Sequence, residues 1–377
     1  MEDKNKIWLS PPHISKNEQN YVNDAFSQNW IAPVGPHLDR FEREISNISN
    51  NHNVVALSSG TAAIHLALIL LGVKKKDIVL CSSFTFSASA NPIIYQGAKP
   101  VFVDSESETW NMDPILLEKA VKNYIKKGKK PKAIILVHLY GFPAKIDKIL
   151  KISHKYEIPI IEDAAEALGS KYKNKPIGTF GEIGIFSFNG NKIITTSSGG
   201  ALISQNKEYT DRAKFLATQA RENYPHYEHS EIGYNYRMSN VCAALGIGQI
   251  EVLESRVEKR RYIFDFYRNN LSTIPFISFV EDIKDFYSNR WLTTILVSNL
   301  SEINREQIRL ELLKNNIESR PVWKPMHLQP IFKSHDSFKN GISEDIFNRS
   351  LCLPSGSSMN DNDLSRVVQI IKNLYER

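Results

Sequence analysis

From residue 53 to residue 161, short apolar runs alternate with stretches in which apolar residues return every three or four positions. Runs of the first kind fit strands, and stretches of the second fit helices. The pattern predicts strands at 53–57, 77–81, 100–104, 133–139 and 158–161, with helices at 62–71, 88–96, 114–125 and 144–156 between them. The run AIILVHL is apolar nearly throughout, as expected of a strand covered on both faces. Such alternation predicts an α/β fold with a mostly parallel, doubly wound sheet. Ahead of it stand a polar helical pattern, the Pro- and Gly-punctuated loop NWIAPVGPHL and a helix over 37–50 in which Leu38, Phe41, Ile45 and Ile48 share a face. Past it come a strand at 201–204, a helix at 209–220 and one or two long helices over 238–271. The strand-like WLTTILV and the helix-like REQIRLELLKNN and DNDLSRVVQIIKNLYE then suggest a smaller α+β domain. The expected division is a large domain over 1–250 and a small C-terminal domain over 251–377.

A chain of 377 residues, 42% of them hydrophobic, is long enough to bury two such cores. Its 47 basic and 41 acidic residues leave a net charge of +6, spread over patches such as Lys74-Lys75-Lys76. That balance gives no nucleic-acid footprint and suits an anionic small substrate. Cys81, Cys242 and Cys352 are too dispersed for a metal-binding pattern, so no metal is expected and the thiols read as reduced. MEDKNKIWLS lacks the apolar core of a secretory signal, and the longest apolar run, 62–73, falls short of the ~20 residues that span a bilayer. A cytoplasmic protein without membrane insertion is expected.

Three places could carry chemistry. In Ser58-Ser59-Gly60-Thr61-Ala62 a strand passes into a helix. Free N–H groups, a close-approach glycine and neighbouring hydroxyls could hold a lone phosphate there, or simply cap the helix. In Ile161-Glu162-Asp163-Ala164-Ala165-Glu166 a carboxylate follows an apolar strand, where open α/β sheets place their ligands. Asp163 could hold a ring nitrogen protonated, or cap the next helix. In GIFSFNGNKIITTSSGG, Lys192 sits in a turn after another strand, with an amine that could react with an aldehyde. Phe84 and Phe86 in SSFTFSASA could offer a flat face to a ring, or belong to the core. Phosphate turn, ring-nitrogen partner and aldehyde partner stand in the order used by pyridoxal phosphate enzymes built on such a sheet.

The motifs SSGTAAIHLAL, SSFTFSASANPI, KPVFVD, HLYG, IEDAAEALGS, GTFGEIGIFSFNGNKIITTSSGGAL, GYNYRMSN, RPVWKPMHLQ and CLPSG resemble the DegT/DnrJ/EryC1/StrS family of nucleotide-sugar aminotransferases, from about Leu9 to the C-terminus. The resemblance implies the fold type I of pyridoxal phosphate-dependent aminotransferases. Lys192 would be the Schiff-base lysine and Asp163 the partner of the pyridinium nitrogen. Phe86 would stack on the ring, and Gly60, Thr61 and Ser187 would hold the phosphate. Asn235 of GYNYR would reach the same phosphate from a neighbouring subunit, which implies a homodimer with shared active sites. Glu166 stands where many relatives have glutamine, near the expected ring hydroxyl. Ser198 stands where close relatives often have glycine, and a left-handed backbone there would cost ~1–2 kcal/mol.

FNGNKIITTS, TQAREN followed by HYEH, SNRW and RPVWKPMH are most similar to the UDP-N-acetylbacillosamine-type transaminases. Those aminate a UDP-4-keto-6-deoxy-N-acetylglucosamine at C4 with L-glutamate as donor, releasing 2-oxoglutarate, with pyridoxamine phosphate as the intermediate cofactor form. Such amino sugars enter glycosylation or polysaccharide biosynthesis. Candidates for sugar or nucleotide contacts are Trp30, Ala32, His138, Arg221, Arg320, Trp323 and His327. A packed histidine or a surface ion pair would explain several of these equally. Two alternatives stand beside this expectation: another ketosugar, either a GDP-4-keto sugar of the perosamine type or a 3-keto sugar, and a regulator that keeps the fold without the activity. The intact set Gly60, Asp163 and Lys192 argues against the regulator.

Overall fold

The computed structural model describes residues 6–376. Its main sheet has eight strands, in the spatial order Asn53–Leu57, Gly200–Ser204, Ile183–Ser187, Ile160–Asp163, Ala133–Val137, Ile78–Ser82, Lys99–Val103 and Ser337–Phe338. Five of the neighbouring pairs are parallel. Gly200–Ser204 runs against both of its neighbours. The twelve residues 188–199 between Ser187 and Gly200 contain no helix to carry the chain over the sheet, so the strand returns antiparallel. Lys192 lies in that return.

Alternating side chains show why the strands read as continuous apolar runs. Ile135 packs with Leu66 and Ala67 of the helix Gly60–Leu70, while Ile134 and Leu136 pack with Leu117 and Val121 of Pro114–Lys126 on the opposite face. Both faces are therefore buried, as a doubly wound sheet requires. Along the parallel strands the carboxyl ends are in register, with Val137 opposite Asp163 and Asp163 opposite Ile185. The turns that follow those ends converge on one edge of the sheet.

The strand predicted at 158–161 lies two residues later, at Ile160–Asp163, because Pro159 has no N–H to give a ladder. Asp163 is thus the last residue of the strand. The run 133–139 stops as a strand at Val137 and turns into a short 3₁₀ segment, Leu139–Gly141, with Tyr140 at φ +52°. The helix predicted at 88–96 divides into Ser87–Ser89 and Asn91–Tyr95 at a proline. The long pattern over 238–271 is two helices, Asn240–Ile250 and Leu253–Leu271.

A second, antiparallel sheet has the order Ile277–Ser278, Thr293–Val297, Ser350–Leu353 and Arg320–Pro321. Ile263 and Tyr267 of Leu253–Leu271, Ile308 and Leu312 of Arg305–Lys314, and Leu364 and Val367 of Asp361–Tyr375 bury its inner face. The N-terminal residues reach this sheet too. Ile7 bridges Ile317, and the Leu9 carbonyl accepts from the Ser355 N–H at 2.8 Å. Among the described residues, no helix is long and apolar enough to cross a membrane.

Candidate active site

The phosphate turn is built as its sequence suggests. Ser59 is extended and its hydroxyl accepts the Ala62 N–H at 3.0 Å, capping the helix Gly60–Leu70. Close packing selects glycine twice. A Cβ on Gly60 would stand 3.1 Å from Ser187 Cβ, and one on Gly200 would stand 2.4 Å from Gly60 N. The left-handed residue of the nearby turn is Ser197, at φ +68°, and not Ser198. Ser198 instead donates its hydroxyl to the Ser58 carbonyl at 2.8 Å, tying the lysine turn to the phosphate turn.

Asp163, buried at its strand end, accepts the Ser89 hydroxyl at 2.6 Å and the Ala165 N–H at 3.2 Å. Ser89 is in turn 2.7 Å from Thr85 Oγ1. The short helical segment Ser87–Ser89 and the turn just after the strand therefore fix the carboxylate. Lys192 closes a turn through its N–H to the Asn189 carbonyl at 3.0 Å. Its Nζ stands 3.6 Å from Glu166 Oε1 and 4.1 Å from the centre of the Trp291 ring. Glu166 accepts the Tyr140 N–H at 2.7 Å and the Trp323 Nε1–H at 3.2 Å. Burial pushes the Glu166 carboxyl above its usual range, outweighing the pull of the Lys192 ammonium and the Tyr140 N–H.

Gly60, Thr61, Phe86, Asp163, Glu166, Ser187 and Lys192 all line one cavity of about 240 Å³. Phe86 is 51% exposed, with its ring 5.2 Å from that of Trp323. A second cavity of about 630 Å³ adjoins the first at Asn191 and Trp323, and its wall includes Arg320, Trp8 and Trp291. The residues fit pyridoxal phosphate: a lysine amine, a buried carboxylate and a glycine-bearing helix N-terminus face the same space.

Other sequence candidates lie elsewhere. His138 is fully buried. Its Nδ1 accepts the Ala144 N–H at 3.1 Å, so Nε2 carries the proton it gives to Glu162 at 3.0 Å. Burial alone would raise the Glu162 carboxyl, but His138 and the N–H groups of Gly181 and Phe180 hold it below its usual range. This pair is part of the sheet and offers nothing to a substrate. His327 is likewise buried, between Ser83 Oγ at 2.6 Å and Glu344 Oε1 at 2.9 Å. Arg221 lies on the surface over the Tyr227 ring. Trp30 and Ala32 are exposed outside both cavities, where their carbonyls accept from Asn240. Asn235 is exposed as well and outside its own chain's cavity.

Trp291, Asn191, Ser89 and Thr85 were not among the sequence candidates. The run SNRW contains the indole, but nothing local ties it to a lysine 99 positions earlier.

Comparison with known proteins places this geometry. The sequence pattern of the DegT/DnrJ/EryC1/StrS aminotransferase family matches residues 12–372. EpsN of Bacillus subtilis, provisionally named a pyridoxal phosphate-dependent aminotransferase, is 51% identical over 98% of this chain and 96% of its own. A GDP-perosamine synthase of Escherichia coli O157:H7 is 37% identical, over 97% of both chains. The UDP-4-amino-4,6-dideoxy-N-acetyl-β-L-altrosamine transaminase of Campylobacter jejuni strain 81-176 is 34% identical, over 98% of both. Among solved structures, a DegT DnrJ EryC1 StrS aminotransferase from Brucella abortus superposes with a TM-score of 0.89, at 28% identity over 96% of each chain.

Proposed function

The chain belongs to the DegT/DnrJ/EryC1/StrS aminotransferase family of pyridoxal phosphate-dependent sugar transaminases, and from that premise we propose that it moves the amino group of L-glutamate to C4 of a UDP-4-keto-6-deoxy-N-acetylhexosamine. The products would be UDP-4-amino-4,6-dideoxy-N-acetylglucosamine and 2-oxoglutarate. One observation carries the reading: the Lys192 amine, the Asp163 carboxylate and the Gly60 turn share a single cavity.

Pyridoxal phosphate, when bound, supplies an aldehyde that takes up amino groups and a ring that spreads the electron pair left when a proton departs from the neighbouring carbon. Each residue has a separate task. The N–H groups at Gly60 and Thr61, with the Ser187 hydroxyl, would hold the phosphate at the helix N-terminus. The Asp163 carboxylate, fixed by Ser89 and Ala165, would hold a proton on the ring nitrogen. Lys192 Nζ would take the proton from the donor carbon and return it to the carbon on the other side of the intervening nitrogen, tethered within reach of both. Phe86 would cover the ring from the exposed side. Arg320, which is ion-paired to Glu318 at 2.8 Å, and Trp323 line the adjoining cavity and would meet the substrate's anionic and ring portions. Asn235 would complete the phosphate site of a second copy, in a homodimer in the cytoplasm.

The UDP-sugar assignment draws support from the bacillosamine-type runs and from the Campylobacter jejuni relative. A GDP-4-keto sugar is the second reading, favoured by the relatives named GDP-perosamine synthase at 37% and 34% identity. Incubation with L-glutamate and a panel of UDP-, GDP- and dTDP-ketosugars, followed by NMR of the product, separates the two. Amination of the UDP sugar alone supports the first reading; preference for a GDP sugar overturns it. Borohydride treatment of the loaded enzyme should fix cofactor mass on the Lys192 peptide.

A further inference from the structure

Lys192 is held at both ends. The carbonyl of the preceding residue, Asn191, accepts the Trp291 Nε1–H at 2.7 Å and the Ser10 hydroxyl at 2.8 Å. At the other end, the amine rests against the face of that same indole, 4.1 Å from the ring centre, with Glu166 Oε1 at 3.6 Å. Trp291 itself is fully buried. Its backbone N–H donates to Asn289 Oδ1 at 2.9 Å, and its backbone carbonyl accepts from the Arg260 guanidinium. Arg260 also donates to Ser10 Oγ at 3.0 Å, and so braces both groups that grip Asn191. A tryptophan needed only to fill the core would not have to share its hydrogen-bond acceptor with the lysine turn and turn its face to the amine.

We propose that Trp291 is a positioning residue for the reaction: its ring face and the Glu166 carboxylate form a seat that holds the Lys192 ammonium whenever Nζ has no covalent partner. The inference rests on the assignment of Lys192 above. During each half-reaction the lysine must take up a proton and give it back close by, and a freely rotating four-carbon chain would spend most of its time out of range. An aromatic face and a carboxylate both attract the protonated amine, and in a dry site the attraction to the ring is at its strongest. The seat thus keeps the proton-carrying form of Nζ over the site. It adds no bond to the chemistry and consumes nothing.

The decisive experiment varies the ring without varying its shape. The enzyme in its pyridoxamine phosphate form, where Lys192 is covalently free, is prepared with tryptophan, mono-, di- and trifluorotryptophan at position 291 by site-specific incorporation. Each fluorine weakens the attraction of the ring face for a cation with little change in packing, and by acidifying the indole N–H it tightens rather than loosens the bond to Asn191, so any loosening of the amine comes from the ring face. Acetylation of Lys192 by acetic anhydride, followed by peptide mass, reports how well the amine is held. The seat requires acetylation to rise stepwise along the series, to about fivefold at the trifluoro ring. The rate of the glutamate half-reaction should fall along the same series while the half-saturating glutamate concentration stays within about twofold. A flat acetylation series, with unchanged melting temperature, overturns the proposal. Glu166→Gln should raise acetylation in the same way; if it does not, the carboxylate half of the seat is wrong. Absence of cofactor mass on the Lys192 peptide of borohydride-treated wild type would remove the assignment of the lysine, an outcome distinct from a flat fluorine series.

Discussion

Glu166 shows how one side chain couples stability to the site. Its carboxyl lies above the ordinary value of 4.5 because it is buried, so the folded protein keeps a proton that the unfolded chain releases. The folded state binds more protons than the unfolded one across that interval. Stability contributed by the neutral acid is therefore complete below pH 4.5 and is lost as pH rises through the folded value. Glu166→Gln removes the titration and keeps one acceptor oxygen, for either Tyr140 or Trp323, while its amide NH2 faces the other; that cost does not vary with pH. The melting temperature of the variant relative to wild type, both free of cofactor, should rise as pH is raised from 4.5, and a difference that does not change with pH would contradict this. Lys192→Ala tests the neighbouring residue. It should lower turnover by about a thousandfold or more, because the proton carrier is lost. Turnover near wild type would remove Lys192 from the mechanism, and the peptide-mass assay distinguishes that from failed cofactor loading.

At the scale of elements, the junction between the helix Gly60–Leu70 and the reversed strand Gly200–Ser204 decides whether the phosphate turn exists at all. Gly200 pairs with Leu57 on one side and Ser187 on the other, and the turn at Ser59 and Gly60 passes over it. A methyl group at 200 would meet rigid backbone at 2.4–2.6 Å, with no flexible side chain to yield. Gly200→Ala should cost about 1–3 kcal/mol of stability and weaken retention of pyridoxal phosphate by more than the loss of fold explains. Equilibrium dialysis of the folded variant measures the second effect, and unchanged affinity would mean that the turn adapts. This junction also marks how far the sequence could be read. Gly60, Asp163 and Lys192 were legible because each lies at or within a few residues of the end of an apolar strand, and the strand ends of a parallel sheet meet at one edge. The reversal of Gly200–Ser204 was not, since periodicity records burial and not direction. Ser337–Phe338 has two residues and hence no period to detect. Trp291 escaped, and His138 was read as a substrate contact, for a related reason: the partners that define them, Lys192 and Glu162, are set by the contact between the two sheets and by the sheet's register.

Across the whole molecule, the site draws on parts remote in sequence and remains open on one side. Phe86 is half exposed, Asn235 stands outside its own cavity, and Trp30 and Ile31 are exposed in the loop bonded to Asn240. For Asn235 to hold the phosphate of a neighbouring copy, as proposed, requires such an exposed side. That arrangement has an arithmetic consequence. Lys192→Ala leaves its Asn235 intact, and Asn235→Ala leaves its lysine intact, so a mixed dimer contains one site with both substitutions and one site with neither. If equal amounts of the two variants are dissociated and reassociated at random, half of the dimers are mixed, and about a quarter of all sites regain the wild-type set. The mixture should then recover about a quarter of wild-type activity, provided Asn235→Ala alone is strongly impaired. Sites made within one chain would give no recovery beyond the sum of the separate variants, since every lysine would still sit with its own chain's asparagine. Activity measured against mixing ratio, with the maximum at equal amounts, distinguishes subunit exchange from a contaminating wild-type enzyme, whose contribution would vary linearly with the amount added.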